Sequence, residues 1–192
     1  KRINPSFVPA DNRHYENVPT GWQFVKIKDV FTINPKNKVD DDIDAGFVSM
    51  SMIDDGYRDS YQFEKKKWAL IKNGFTHFKD GDIAVAKISP CLENRKSMIL
   101  KNLPNGIGAG TTELHIFRSA IVDPKFSLYF FKSDYFINQC VGTFNGVVGQ
   151  QRVGKNIIED IMFPLSPYKE QRRISEKITQ IFMCLDKITA EL

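Results

Sequence analysis

A repeat of apolar residues near the C-terminus constrains this chain more than any other feature of its sequence. Successive apolar positions are four, three, four, three and four residues apart, which is the heptad spacing that lets one α-helix pair with another along a narrow seam. A helix from Pro167 to the end would be about 39 Å long, at about 1.5 Å per residue. We therefore expect a partner helix, in this chain or in another. The seam consists of Ile174, Ile178, Ile181, Leu185, Ile188 and Leu192.

The start of this helix is also marked in the sequence. Ser166 can serve as the N-cap, and Pro167 suits the first helical position. An ordinary amphipathic helix that packs on its own domain remains an alternative to a pairing helix. Two charged pairs at helical spacing support the helix itself: Glu170 with Arg173 and Arg172 with Glu176.

The length and composition fit a cytoplasmic protein of one domain with an appendage. The chain has 192 residues, of which 42% are hydrophobic, enough for a core in a domain of about 150 residues. It contains no apolar run long enough to span a membrane, so we expect no membrane partner. Cys91, Cys140 and Cys184 are odd in number and widely spaced, unlike a disulfide framework, which favours a reducing compartment.

The order of the segments predicts an α+β fold. Alternating or apolar stretches at 22–27, 47–53, 75–78, 82–88, 96–100 and 112–118 indicate strands. Helices are expected after Asp123-Pro124 and around 135–141, and a polar loop at 142–152. We expect an N-terminal arm at 1–21, a β-rich domain at 22–165 and the long coiled-coil-type helix at 166–192.

The glycine-rich stretch at 106–110 does not predict a cofactor site. A dinucleotide-binding loop needs a helix after its glycines, whereas Gly106, Gly108 and Gly110 lead into a predicted strand. We expect a sharp turn or a close approach to a neighbouring backbone instead. The chain also shows no histidine and cysteine spacing typical of zinc, so no metal or cofactor is expected.

Positive charge is concentrated in the middle of the chain. Residues 58–101 carry 10 basic and 5 acidic groups, although the whole chain has a net charge of only +4. Lysines among aromatic residues suit contacts to phosphates, and Arg, Asn and Gln can read purine bases. We therefore expect a polyanion partner. The candidate DNA-binding residues on this basis are Lys65, Lys66, Lys67, Lys87, Asn94, Arg95, Lys96, Asn145, Gln150, Gln151 and Arg152.

Two other functions remain open at this point. Glu64 and Lys66 have the Glu-x-Lys spacing of a metal-dependent nuclease, for which Asp59 or Asp82 would complete the ligands. A purely structural coiled-coil adaptor is the third hypothesis. Arg95 and Arg152 would then have no effect on nucleic-acid affinity.

Taken in order, the motifs resemble those of the specificity subunits of type I DNA restriction–modification systems. They are VPTGW at 18–22, FKDGDIAVAKI at 78–88 with ENRK at 93–96, GAGTTEL at 108–114, GQQRV at 149–153 and IMFPLSPYKEQ at 161–171. This resemblance adds Thr111 to the candidate DNA-binding residues. It covers most of the chain, and the last motif is its most specific part.

The resemblance implies a target recognition domain followed by a helix that separates two half-sites of a split DNA target. It also implies methyltransferase subunits that carry the S-adenosylmethionine, and a restriction subunit that translocates DNA. The specificity subunit itself binds no cofactor and is not an enzyme. This chain has one such unit where the family usually has two, so it is either a half-subunit that dimerises or one half of a longer chain. Its partner would be a second copy or a second half-subunit. It also has Ser166 where the family usually has proline.

Overall fold

The computed structural model describes residues 18–143 and 151–191 and has an α+β fold, as the sequence predicts. Its strands are β1 (Gln23–Lys26), β2 (Thr32–Ile33), β3 (Asp44–Val48), β4 (Glu64–Lys67), β5 (Thr76–Lys79), β6 (Ile83–Ala86), β7 (Ser97–Ile99), β8 (Ile107–Gly110), β9 (Leu114–Arg118) and β10 (Met162–Leu165). Its helices are α1 (Ile27–Val30), α2 (Trp68–Ile71), α3 (Pro124–Phe131), α4 (Asp134–Val141), α5 (Lys155–Asp160) and α6 (Tyr168–Glu191). None of the helices in these residues is both long and apolar enough to cross a membrane.

The strands form two four-stranded sheets and one small pair. Sheet I has the order β2-β9-β6-β7 and is antiparallel, whereas sheet II has the order β4-β3-β8-β5 with β3 and β8 parallel. The turn between β5 and β6 joins the two sheets. Asp82 fixes this turn, because its buried carboxylate accepts hydrogen bonds from the Lys79 backbone N–H and from Arg118, each at 2.8 Å. The remaining strands, β1 and β10, pair with each other.

Sheet I is buried on both faces, and this explains its apolar sequence. In β6, Ile83 and Val85 belong to a cluster shared with α3 and α4, whereas Ala84 and Ala86 face the cluster that includes Val48 from sheet II. Successive side chains of a strand point to opposite faces, so β6 supports both layers. Trp68 and Ile71 of α2 cover the outer face of sheet II. The layers are therefore helices, sheet I, sheet II and α2.

The glycines of β8 permit the close approach that their sequence predicts. A Cβ atom on Gly108 would lie 2.6 Å from the Gly46 carbonyl oxygen and 2.2 Å from Cε2 of Phe78. One on Gly110 would lie 2.4 Å from the carbonyl oxygen of Val48. Asn105 and Gly106 have positive φ angles and form the predicted turn before the strand.

Helix α6 confirms the predicted C-terminal helix but not its predicted cap. The backbone carbonyl of Pro167 accepts the first hydrogen bonds, from Glu170 at 2.8 Å and Gln171 at 3.1 Å. Ser166 lies one position too early, and its buried hydroxyl has no hydrogen-bond partner among the described residues. The capping prediction for Ser166 is therefore wrong, and so is the placement of Pro167 at the first helical position, since α6 begins at Tyr168. Both predicted charged pairs form, at 3.0 Å for Arg173 with Glu170 and 3.6 Å for Arg172 with Glu176.

Candidate nucleic-acid interface

One end of sheet I gathers several of the candidate residues. Lys87 follows β6 and Glu113 precedes β9, and the Lys87 backbone N–H donates to the Glu113 carbonyl at 2.9 Å. The segment after the undescribed residues 144–150 lies beside them, since Ser89 N–H donates to the Gln151 carbonyl at 2.8 Å. Arg152 then forms a bridge with Ile88. Gln151 and Arg152 thus lie at the end of the predicted loop, beside the segment that follows β6.

A fork of two hydrogen bonds joins Arg152 to Glu113 at this end. The Nε and Nη2 groups of Arg152 donate to Oε2 and Oε1 of Glu113 at 2.8 and 2.9 Å. The guanidinium lowers the pKa of the Glu113 carboxyl below its usual range. Thr111 lies beside the pair, because its Oγ1 accepts from the Glu113 backbone N–H at 3.2 Å. Sequence reasoning did not select Glu113, although it lies within one of the motifs quoted above.

His115 anchors the segment that carries Arg152. Its Nε2 lies 3.1 Å from the carbonyl oxygen of Val153, and its Nδ1 lies 3.3 Å from Nδ2 of Asn34. Burial lowers the pKa of His115 to about 4, so the ring is neutral at pH 7. The partners assign the proton to Nε2, which donates to Val153, while Nδ1 accepts from the amide of Asn34. His115 is thus a structural side chain, as its place on a strand suggests.

Arg95 and Lys96 are held by contacts within the chain. Arg95 donates from Nε to the Lys132 carbonyl at 3.0 Å and pairs with Asp134. Its guanidinium also lies 4.7 Å from the ring centroid of Tyr57. Lys96 donates to the Ile53 carbonyl at 2.6 Å. Their neighbour Asn94 is exposed.

Lys65, Lys66 and Lys67 lie apart from this group, on the edge strand β4 of sheet II. Lys65 and Lys67 share Asp44, at 2.8 and 3.0 Å, and these hydrogen bonds lower the pKa of the Asp44 carboxyl. Lys66 pairs with Glu64 at 2.8 Å and lies over the Phe47 ring. The three lysines therefore have two carboxylates beside them, which leaves a smaller positive charge than the sequence suggests.

The structure brings together Lys87, Thr111, Gln151 and Arg152, and keeps Lys65, Lys66 and Lys67 on another edge. Asn145 and Gln150 lie outside the described residues. A DNA-binding role for each of these side chains stays a prediction.

The acidic residues of the nuclease hypothesis each have other partners. Asp82 pairs with Arg118, and Asp59 accepts from the Ile99 backbone N–H at 2.8 Å and from Lys101 at 3.0 Å. Within residues 18–143 and 151–191, no three His, Cys, Asp or Glu side chains are grouped so that they could hold a metal ion. Nothing in this geometry supports the nuclease hypothesis.

The predicted seam of α6 changes along its length. Ile174 packs against the core cluster of the domain, and Ile178 is half-buried. Further along, Ile181, Leu185 and Ile188 are 51%, 50% and 56% exposed. The first turns of the helix thus pack on its own domain, as expected for an ordinary amphipathic helix. The later seam residues are accessible to a partner helix. Leu192 lies outside the described residues, and pairing along this seam stays a prediction.

Comparison with known proteins gives one consistent result. A family model described as the type I restriction modification DNA specificity domain matches residues 19–192. The type I restriction enzyme EcoAI specificity subunit of Escherichia coli is 41% identical over 174 residues, which cover 89% of this chain and 30% of that protein. The EcoEI specificity subunit, also from Escherichia coli, is 37% identical over 184 residues, which cover 94% and 31%.

Solved structures share the fold at lower sequence identity. The HsdS subunit from Thermoanaerobacter tengcongensis has a TM-score of 0.73 and 19% identity, with 90% of this chain and 45% of that chain covered. A chain from a structure of type I R-M system assembly and conformational transition also has a TM-score of 0.73, at 21% identity, covering 91% and 45%. The present chain therefore spans about a third of the curated relatives and under half of these solved chains.

Proposed function

This chain belongs to the family of type I restriction–modification DNA specificity domains, and we propose that it recognises one segment of a double-stranded DNA target. In this proposal it is a recognition module that catalyses no reaction itself. One observation carries the proposal: the chain combines two features. One end of sheet I has residues suited to DNA contacts, and the 24-residue helix α6 has an accessible apolar seam.

The residues at the end of sheet I divide into two roles. Lys87 supplies a flexible positive charge, which suits a phosphate and carries no sequence information. Gln151 and Arg152 can each form two hydrogen bonds to a purine, Gln to adenine and Arg to guanine. Lys65, Lys66 and Lys67 would add phosphate contacts from the edge of sheet II, in competition with Asp44 and Glu64.

The later half of α6 would pair with a helix from a second copy of this chain or from a second half-subunit. Such an arrangement places two recognition domains at the ends of a helical spacer, so that the DNA target has two parts. A symmetric pair of identical chains predicts an inverted repeat, because protein twofold symmetry is mirrored in the DNA. The other proposed partners are methyltransferase subunits, which would hold S-adenosylmethionine, and a restriction subunit in the cytoplasm.

Selection from randomised duplex DNA tests this proposal. The chain, mixed with its cognate methyltransferase subunit, should retain duplexes that share a short motif, and methyltransferase alone should not enrich that motif. A variant with both Gln151→Ala and Arg152→Ala should lose the enrichment while its unfolding transition stays cooperative. If the retained duplexes share no motif and the amount retained depends only on salt concentration, the recognition role is contradicted.

A salt titration separates phosphate contacts from base reading. Loss of Lys65, Lys66 or Lys67 should weaken binding to all sequences and flatten the plot of log affinity against log salt by about one unit. Lys177→Ala, an exposed lysine of α6, is the matched control and should leave the slope unchanged. An unchanged slope in all three β4 variants would remove this edge from the interface.

A further inference from the structure

We propose that Glu113 both holds Arg152 in position and accepts from the cytosine amino group, so that the two side chains act as one specificity-determining unit for a G·C base pair. This inference rests on the proposed function and deepens it, because it names the base pair that this part of the surface recognises.

The backbone on both sides of the pair is fixed. The Glu113 carbonyl accepts from Lys87 N–H at 2.9 Å, and its own N–H donates to Thr111 at 3.2 Å. Next to Arg152, the Val153 N–H donates to the Lys87 carbonyl at 3.0 Å, and His115 contacts the Val153 carbonyl at 3.1 Å. Because the backbone is fixed at both positions, the side chains of Glu113 and Arg152 contact each other at a defined place.

The hydrogen-bond geometry orients the guanidinium. Both hydrogen bonds leave the Nε and Nη2 edge of Arg152 and reach the two different oxygens of Glu113, at 2.8 and 2.9 Å. This fork fixes the plane of the guanidinium as well as its position. A long side chain that is ordered before binding loses less conformational entropy when it meets its target.

The exposure of the pair favours a role at a surface. Arg152 is 42% exposed and Glu113 is 26% exposed, so the ion pair is in contact with solvent. Solvent-exposed ion pairs contribute little to stability in general. The fold therefore gains little from this pair, whereas a ligand can reach both of its members.

The charge of the pair favours a base over a phosphate. Glu113 and Arg152 together carry no net charge, and the Glu113 carboxylate would repel a phosphate brought close to it. The edge of a base in the major groove is uncharged. Guanine presents O6 and N7 as acceptors for Arg, and the N4 amino group of its partner cytosine donates to a carboxylate. The pair therefore matches both members of a G·C base pair.

The test uses the chain with its methyltransferase subunit and the duplex motif obtained by selection. Each base pair of that motif is replaced in turn, and affinity is measured for the wild type, Glu113→Gln and Arg152→Gln. The wild type should bind about tenfold or more weakly when one particular G·C pair is replaced. Both variants should lose that discrimination at the same position and keep it elsewhere, with an unchanged salt slope.

Two further variants complete the test. Glu113→Asp keeps the charge but shortens the side chain, so it should also lose the discrimination. Glu159→Gln removes a carboxylate that pairs with Lys155 at 3.3 Å on α5, and it should bind as the wild type does. Unfolding curves of all variants show whether a loss of binding comes from a loss of structure.

The outcomes separate this inference from the proposed function. If the wild type selects no motif, both fail. If the wild type selects a motif but Glu113→Gln and Glu113→Asp keep every base preference, only the role of Glu113 fails. If either variant changes the salt slope by about one unit, the pair contacts a phosphate and the inference is overturned.

Discussion

The side chain of Gln171, in the first turn of α6, accepts a hydrogen bond from the backbone N–H of Asp123, just before α3, at 2.7 Å. Its amide also donates to the Ser166 carbonyl at 2.7 Å, and Ser175 donates to the Asp123 carboxylate at 2.8 Å. Gln171 and Ser175 are both buried. These contacts join the starts of two helices that are about fifty residues apart in the sequence, so the beginning of α6 is part of the domain.

Gln171→Ala should therefore destabilise the domain. It leaves the Asp123 N–H and the Ser166 carbonyl without their partner, and an unsatisfied buried polar group costs about 1–3 kcal/mol. Urea unfolding should show a lower midpoint with an unchanged slope. Gln180→Ala, an exposed position on the same helix, is the control and should change the free energy of unfolding by less than about 0.5 kcal/mol. Equal midpoints for the two variants would contradict the role of Gln171.

Acidification should destabilise the protein through His115. Its pKa is lowered to about 4 by burial, whereas in the unfolded chain it is about 6.5. Between these two values the unfolded state binds the extra proton and the folded state does not, so stability falls as the pH falls from about 6.5 to about 4. The expected loss is about 3 kcal/mol.

Unfolding free energies at pH 7, 5.5 and 4 measure this loss. His115→Gln should be less stable at pH 7 but should lose less stability between pH 6.5 and 4. Part of the dependence should persist in the variant, because burial also lowers the pKa of His77. An identical pH dependence in wild type and variant would show that His115 is not the titrating group.

Gly108→Ala should disrupt sheet II. The new methyl group would meet the Gly46 carbonyl oxygen at 2.6 Å, and backbone cannot move aside as a flexible side chain can. Overpacking costs typically about 1–3 kcal/mol and sometimes more. The matched control is Gly142→Ala, whose Cβ would lie 4.0 Å from the Asn138 carbonyl at a negative φ of −67°. The midpoint temperature of thermal unfolding should fall strongly for Gly108→Ala and should stay nearly unchanged for Gly142→Ala.

Phe182→Ala should release the later part of α6 from the domain. The Phe182 ring contacts the rings of Tyr57 and Tyr129, with centroid distances of 6.3 and 6.1 Å. Arg58 and Asp186 hold the next turn, with hydrogen bonds of 2.5 and 3.2 Å. Loss of an aromatic pair costs about 0.5–1.5 kcal/mol beyond the buried area, so amide hydrogen exchange after residue 182 should accelerate up to about tenfold.

Met183→Ala is the control for this experiment, because Met183 is exposed on the adjacent position. It removes a side chain of similar length from the same turn without touching the aromatic contact. Exchange rates in sheet I should be unchanged in both variants. Equal acceleration in both would show that the aromatic contact of Phe182 is not what holds this part of α6.

Two seam residues of α6 should give opposite results when replaced by alanine. Ile174 packs on the domain core and Leu185 is half-exposed. Ile174→Ala should lower the free energy of unfolding. A buried large-to-small change costs about 2–5 kcal/mol, which is the upper limit for this partly buried side chain. Leu185→Ala should leave unfolding of the domain nearly unchanged and weaken association with a partner helix. Sedimentation equilibrium and urea unfolding measure the two effects, and a Leu185→Ala protein that associates normally would contradict the seam.

Local patterns predict much of the fold because they arise from neighbouring residues. The heptad spacing predicts α6, and Asp123-Pro124 predicts the start of α3. In the structure the Asp123 carboxylate caps α3 by accepting from the Phe126 N–H at 2.9 Å. The glycines of β8 indicate a close backbone approach before the partner strand is known. β10 was missed, since a four-residue strand that contains Pro164 has no periodicity of its own and exists through its pairing with β1.

The sequence alone determined the family, the α+β class, the long C-terminal helix and the kinds of side chain that we propose for DNA contacts. Only the tertiary structure decided which of these side chains meet. It joins Arg152 to Glu113, which is 39 positions away, and pairs Lys65 and Lys67 with Asp44. The physical reason is that sheet register and layer packing set such distances. They depend on hydrogen bonds and apolar contacts between segments remote in the chain, whereas helix and strand periodicity depends on residues close together in sequence.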